Sequence, residues 1–589
     1  MPQITIDGQR IETSAGKTII EAALEHGITI PHFCWHPALS VSGNCRMCLV
    51  NTGFPRKAAD GSFERDADGN QVIGWGPKLS IACATPVADG MVIDTLGSKT
   101  EHAQNAVMEF LLINHPLDCP ICDEAGQCKL QEYEFLHSKG KSRFDEKKNH
   151  KDKRVPLGPN VMFDGERCIS CSRCIRFAEE VAEQPVLTFV QRGDHVTIDT
   201  FADTQFDSPY SMNVIDICPV GALTSIDFRF TSRVWEMSFT DSVCPGCSRG
   251  CNIKVGVRNN QILRLEPRTN MHVNTYWMCD DARLNQYKFV NDNRIEAPMI
   301  RTGNALTPTT WEAATEHAAK LLRAYKPSEI MVIGSARATN EDNFLLGRFA
   351  HKVLKTTHTD FMHHADKSFA DNKLRTADRS PNAHGALEIG IKQQHGVSMD
   401  NLAEKIKSHA IKAVYALDAS IGDNAEIASA LSHVECLIVH ASNPTRVTEM
   451  AHVVFAASTY AETEGTFTNT AKRVQYIQPA VATKDNERIT GLEMSRWDKF
   501  GARNDRWSQG VRRDCKPGWE IIQLVANHMG GSWHFADAAG VFKELSIDVK
   551  SFHGMSYELL QEYQGITLGN AERPEKKVTV YESHTLKPN

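Results

Sequence analysis

Nowhere in the 589 residues is there a run of eighteen apolar side chains, the length a helix needs to span a bilayer. No membrane-spanning helix is therefore expected. The opening, MPQITIDGQRIE, has no charged segment followed by an apolar one, so no secretion leader and a cytoplasmic location are expected. Basic residues do not predominate: 65 Lys and Arg stand against 72 Asp and Glu, a net charge of −7. That argues against a general nucleic-acid binder. No G-x-G-x-x-G segment follows a strand-like run, so no dinucleotide site is expected here. Cysteine is scarce in one half only: none lies between Cys279 and Cys436, and beyond them there is only Cys515.

Fifteen of the seventeen cysteines are crowded into the first 279 residues. A secreted disulfide scaffold would be small and would carry a leader. Two- and three-residue spacings in a leaderless chain read as metal ligands, because neighbouring thiols reach one centre with little loop entropy to overcome.

The length calls for several domains. Residues 3–12 read as a hairpin turning at Asp7-Gly8, and GKTIIEAALEHG as a short amphipathic helix ending at Gly27. NAVMEFLLIN reads as a second helix, and the charged stretch 138–154 as a solvated loop. From about 297, EIMVIGSA, KAVYALDA and ECLIVHA alternate with helical patterns, which predicts parallel βαβ units. The last residues look like a tail. The expected fold is multidomain α/β and α+β.

Four sets of candidate ligands follow. Cys34, Cys45, Cys48 and Cys83 have the spacing C-x10-C-x2-C-x34-C, after a hairpin and helix that match a β-grasp domain of the [2Fe–2S] ferredoxin type. The first gap is longer than in the plant-type pattern, and structural zinc is the rival. INHPLDCPICDEAGQCKL supplies Cys119, Cys122 and Cys128, with His115 four residues ahead. From spacing alone His115 is either the fourth ligand of a [4Fe–4S] cluster or polar surface. Cys168, Cys171 and Cys174, with Cys218 in a remote Cys-Pro, form the ferredoxin pattern for [4Fe–4S]. Cys244, Cys247, Cys251 and Cys279 again offer four thiolates, with zinc a more serious rival. Cys436, in an apolar run, reads as a buried small hydrophobe, and Cys515 has no partner at useful spacing.

Together NHPLDCPICDEAGQCKLQ, the C-x10-C-x2-C domain before it and RCISCSRCIRF…ICPVGALT resemble the large, 75 kDa-type iron–sulfur subunit of respiratory complex I, which in bacteria is NADH:quinone oxidoreductase. VCPGCSRGC…WMCDDAR resembles an extra cluster motif kept by some bacterial members. AETEGTFTNTAKRVQ resembles part of a molybdopterin oxidoreductase domain. The likeness extends to about residue 480. It implies that His115 is a ligand with the matching three cysteines. It implies one [2Fe–2S] and three [4Fe–4S] clusters relaying electrons toward quinone, with FMN and NADH on a partner subunit. The main path would run through the second and third sets, the Cys244 set lying off it. Partners would be other peripheral-arm subunits, with the chain attached peripherally on the cytoplasmic side of the membrane.

The resemblance also implies domains at 1–97 ([2Fe–2S] β-grasp), 98–157 ([4Fe–4S] on one histidine and three cysteines), 158–235 (ferredoxin-like [4Fe–4S]) and 236–296 (molybdopterin-type [4Fe–4S]). A truncated molybdopterin-oxidoreductase-like α/β domain would fill 297–570, followed by the tail 571–589. CDDAR lacks the lysine that follows the last cluster cysteine in active relatives, and the chain is short for the full set of cofactor domains, so no molybdenum is expected. The alternatives are an electron-transfer subunit of an NAD-linked formate dehydrogenase or hydrogenase, a zinc-stabilised assembly protein, and a ferredoxin fused to a vestigial enzyme.

Overall fold

The computed structural model describes residues 1–138, 140–392, 396–486 and 510–575. The chain divides into two compact units, one ending at Val234 and one beginning at Trp235. The expected tail lies outside the described residues beyond position 575.

The first unit opens with the hairpin β1 (Gln3–Ile6) and β2 (Gln9–Glu12). Asp7 and Gly8 both have positive φ, 47° and 84°, as a two-residue turn between twisted strands requires. Helix α1 (Ile19–Glu25) is closed by a capping box at Thr18 and Glu21 and released at Gly27, φ 75°. With β3 (Leu49–Pro55), β4 (Ile73–Trp75), β5 (Ser80–Ile81) and β6 (Val92–Asp94) the strand order is β2-β1-β6-β3-β4, and β5 pairs with β3. β1 and β6 are parallel, so this is the β-grasp arrangement. Its core joins Ile4, Ile6, Ile19, Ile20, Val50 and Ile93 to the thiol-bearing residues Cys48 and Cys83.

Helix α2 runs from Ser98 to Leu112, starting well ahead of the expected apolar stretch. Its first two turns are anchored by polar side chains: Thr100 donates to the Asp94 carbonyl at 3.1 Å and Gln104 to the Leu49 carbonyl at 3.3 Å. Such contacts leave no apolar period to read. Residues 138–154 carry no helix or strand among those described, but they are more than a solvated loop. Lys148 Nζ caps α2 through the Leu112 and Ile113 carbonyls, both at 2.8 Å, and Lys151 Nζ reaches the Val196 carbonyl at 2.7 Å. Helix α3 (Lys129–His137) and helix α4 (Arg173–Glu180) each start at a cysteine motif.

In the second unit a three-stranded antiparallel sheet, Ser238–Val243, Asn252–Arg258 and Gln261–Pro267, carries the fourth cysteine set. Beyond it lies a seven-stranded sheet. Strands Ile330–Ser335, Thr359–Met362, Ala413–Ala416, Cys436–Ala441 and Val453–Ala456 are mutually parallel, and a hairpin, Met299–Thr302 with Ala305–Pro308, lies antiparallel on one edge. Val332, Tyr415, Ile438 and Phe455 face one apolar core; Met331, Val414, Leu437 and Val454 face the other. A sheet covered on both faces reads as unbroken apolar runs, which is why three of these strands were legible. Cys436 is fully buried in its strand. Cys515 is buried too and accepts from Ser458 Oγ at 3.7 Å.

Candidate metal centres

Cys34, Cys48 and Cys83 are buried and Cys45 half-buried. The Cys34 backbone N–H donates to Cys45 Sγ at 3.5 Å. Hydrogen bonds from Cys45 and Cys83 draw Cys34 below the ordinary thiol range, one from Cys83 does the same to Cys48, and Cys45 and Cys83 are pushed up in return. Side-chain hydrogen bonds thus link Cys45 to Cys34, Cys34 to Cys83 and Cys83 to Cys48. Gly43 and Arg46 both take positive φ, 62° and 60°. A Cβ at Gly43 would meet only Ile81 Cδ1, at an ordinary contact distance of 4.0 Å, so the glycine serves conformation and not close approach.

In the second set Cys119 opens a single 3-10 turn, Cys119–Ile121, and Gly126, φ 89°, turns the chain toward Cys128. Burial raises the Cys122 thiol to about 11 and the Cys128 thiol to about 12, and the Glu124 charge pushes both in the same direction. His115 lines a small cavity with Asn114, Asn149, Glu166 and Cys168. Burial outweighs the pull of Asp118 and holds its ring down near 4. A neutral imidazole keeps the lone pair that a metal ligand needs. Asp118 accepts from Arg167 Nη2 at 2.7 Å and from Lys153 Nζ at 3.2 Å, and Lys153 also pairs with Glu166 at 2.7 Å. The charged stretch thus braces this site. The cavity that His115 lines includes Cys168 of the third set and none of Cys119, Cys122 and Cys128.

The third set is gathered completely. Cys168, Cys171, Cys174 and Cys218 line one small cavity walled by Phe163, Ile198, Val220 and Leu223. Ser170 and Ser172 lie between the first three cysteines with φ 53° and 63°. Alternating handedness turns successive N–H groups inward, a concavity that suits anions, and the Ser170 N–H donates to Cys168 Sγ at 3.4 Å. Burial raises Cys168 to about 11 and Cys174 and Cys218 well above the ordinary value. Coordinated thiols must be deprotonated, so an apolar pocket of this kind suits a cationic inorganic core.

The fourth set occupies the turn between the first two strands of its sheet, with Cys279 capping the helix Asp280–Asn285. The Cys244 N–H bonds the Cys251 carbonyl at 2.8 Å, and the Gly246 N–H donates to Cys244 Sγ at 3.4 Å. Burial raises Cys244 and Cys251, and each is raised further by the other cysteines of the set. The adjoining segment around Asn469 fixes the loop: Asn469 Nδ2 donates to the Arg249 carbonyl at 3.1 Å and Gln475 Nε2 to the Gly250 carbonyl at 2.9 Å.

Among the described residues no three His, Cys, Asp or Glu side chains converge on a point that could hold one metal ion. A polynuclear cluster does not require that convergence, since its own iron and sulfide occupy the space between thiolates.

Three features escaped the motifs. Asn44 Nδ2, beside Cys45, donates to the Ser170 carbonyl at 3.1 Å, linking the first and third sets. A Cβ on Gly221 would lie 2.2 Å from Cys122 Sγ, which brings the second set against the third. Arg173 and Arg176, buried within the third motif, reach the first. The available signal was two arginines in a stretch otherwise destined for burial.

Five family profiles match the chain. They are a 2Fe-2S iron-sulfur cluster binding domain over 2–97, an NADH-ubiquinone oxidoreductase-G iron-sulfur binding region over 104–142, and the ferredoxin-like domain of NADH-quinone oxidoreductase subunit 3 over 158–224. The others are a molybdopterin oxidoreductase Fe4S4 domain over 237–284 and molybdopterin oxidoreductase over 294–386 and 370–489. NADH-quinone oxidoreductase subunit 3 of Thermus thermophilus is 39% identical over 374 residues, 61% of this chain and 47% of that one. An NADH-quinone oxidoreductase subunit of Rickettsia bellii is 39% identical, covering 60% and 48%. The NADH-ubiquinone oxidoreductase 75 kDa subunit of Reclinomonas americana is 40% identical, covering 56% and 45%. The chain spans about half the length of these relatives.

Proposed function

Because this chain belongs to the family of large iron–sulfur subunits of NADH-quinone oxidoreductases, we propose that it is the iron–sulfur electron carrier of a peripheral arm. It holds one [2Fe–2S] cluster on Cys34, Cys45, Cys48 and Cys83. Three [4Fe–4S] clusters are held by His115 with Cys119, Cys122 and Cys128, by Cys168, Cys171, Cys174 and Cys218, and by Cys244, Cys247, Cys251 and Cys279. When bound, such clusters supply reversible one-electron transfer.

The observation that carries this reading is the connection of three cysteine sets inside one compact unit, through Asn44 and Ser170 on one side and Gly221 and Cys122 on the other. The chain's own residues bury the thiols, aim N–H groups at Cys45, Cys168 and Cys244, and hold His115 neutral. FMN and NADH belong to a partner subunit, and quinone-side iron–sulfur subunits take the electrons onward. Attachment to the cytoplasmic face of the membrane is through those partners; no described helix is long and apolar enough to cross a membrane.

Molybdenum has no place in this reading. In doubly wound sheets ligands bind at the carboxyl ends of the strands, by helix N-termini. Here the helix Asn340–Arg348, which follows Ile330–Ser335, fills that position with its own side chains. Asn340 donates to Thr466 and Thr468 hydroxyls, both at 3.0 Å, and Glu341 accepts from Thr466 and Tyr557. All are buried.

The test is purification of the native assembly by a tag on this chain, followed by addition of NADH, formate or hydrogen under electron paramagnetic resonance. Reduction of its signals by NADH, reversed by quinone, is the expected result. Reduction by formate or hydrogen instead would assign the chain to a dehydrogenase or hydrogenase.

A further inference from the structure

Arg173 lies between Cys171 and Cys174 and is 1% exposed. Its Nη1 donates to the Ile217 carbonyl at 2.9 Å, one residue before Cys218. Its Nη2 donates to the Trp35 carbonyl, one residue after Cys34. Nε is buried with no partner. One guanidinium therefore touches peptide units adjoining a candidate ligand of each of two sets.

Among the described residues no carboxylate pairs with it; the acidic groups bearing on it are the thiols of Cys171, Cys45 and Cys34 and the phenol of Tyr133. An unpaired buried charge is unfavourable in a low-dielectric interior, so the site as the protein alone builds it lacks its counter-ion. A guanidinium keeps its proton. Arg176, one turn on, reinforces the junction through the Cys34 carbonyl at 2.5 Å and Ser172 Oγ at 3.2 Å. A cluster held by four thiolates is a net anion, and it is the group that would complete this pairing.

We propose that Arg173 is a fixed countercharge shared by the Cys34/45/48/83 and Cys168/171/174/218 clusters, raising the reduction potentials of both together. This makes it a positioning and tuning residue with no bond-making role. The inference rests on the reading of both cysteine sets as cluster ligands.

The test is redox titration of the holoprotein, followed by electron paramagnetic resonance, for wild type, Arg173→Gln and Arg173→Lys. Wild type must first show a binuclear and a tetranuclear signal; their absence would defeat the cluster reading itself. Given both signals, Arg173→Gln is expected to make one-electron reduction of each centre about tenfold less favourable, 59 mV for n = 1. Arg173→Lys lacks the fork, but in the holoprotein the two anionic clusters hold its ammonium charged, so it should stay near wild type at both. Unchanged potentials in Arg173→Gln, or a shift at only one centre, overturn the proposal. If Arg173→Gln does not assemble, Arg173→Lys decides: wild-type potentials support the countercharge, and a fall at either centre overturns it.

Discussion

A Cβ placed on Gly221 would lie 2.2 Å from Cys122 Sγ and 3.0 Å from Glu124 Cβ. The thiol of one set thus rests on the backbone that follows Cys218 of another. Gly221→Ala is expected to cost about 1–3 kcal/mol through overpacking and to release about four irons, those of the displaced tetranuclear site. Iron per chain and the urea midpoint check this; a full iron complement with an unshifted midpoint would show that the contact has slack.

Exchange of His115 for cysteine replaces a neutral ring with an anionic thiolate. His115→Cys is expected to lower the potential of its own cluster, since imidazole ligation raises it, while electron transfer persists. Redox titration of that signal reads the change. Loss of the assembled protein would instead mark His115 as a folding contact.

How much of this was legible in the sequence depends on how far apart the interacting residues lie. The hairpin turn at Asp7-Gly8 and the release of α1 at Gly27 are local, and the residues there announce them. The parallel strands announced themselves because both faces are buried. By contrast, Thr100 and Gln104 start α2 through Asp94 and Leu49, Lys148 caps it from 35 or more positions away, and Arg173 reaches Trp35 across 138. Such contacts leave no period in the chain. The cysteine spacings delimited four sets, but not that Asn44 and Gly221 would tie three of them together.

Glu341 carries a pH dependence of its own. Burial, only partly offset by hydrogen bonds from Thr466 and Tyr557, pushes its carboxyl from 4.5 up to about 8. The folded state then holds a proton that the unfolded chain has released, so stability from this group is present below 4.5 and is lost as pH rises toward 8. Glu341→Gln keeps the shape and removes the titration. Its stability advantage over wild type should grow by about 1.4 kcal/mol per pH unit across that window, then level off. Urea unfolding at several pH values measures it; parallel curves for the two proteins would contradict the assignment.

The most direct measurement of the central claim is a metal and acid-labile sulfide count on the anaerobically isolated chain. One binuclear and three tetranuclear centres predict about fourteen irons with matching sulfide, a brown protein that bleaches on reduction, and neither zinc nor molybdenum in stoichiometric amount. A colourless chain carrying zinc at the cysteine sets, silent to reductant, would contradict it.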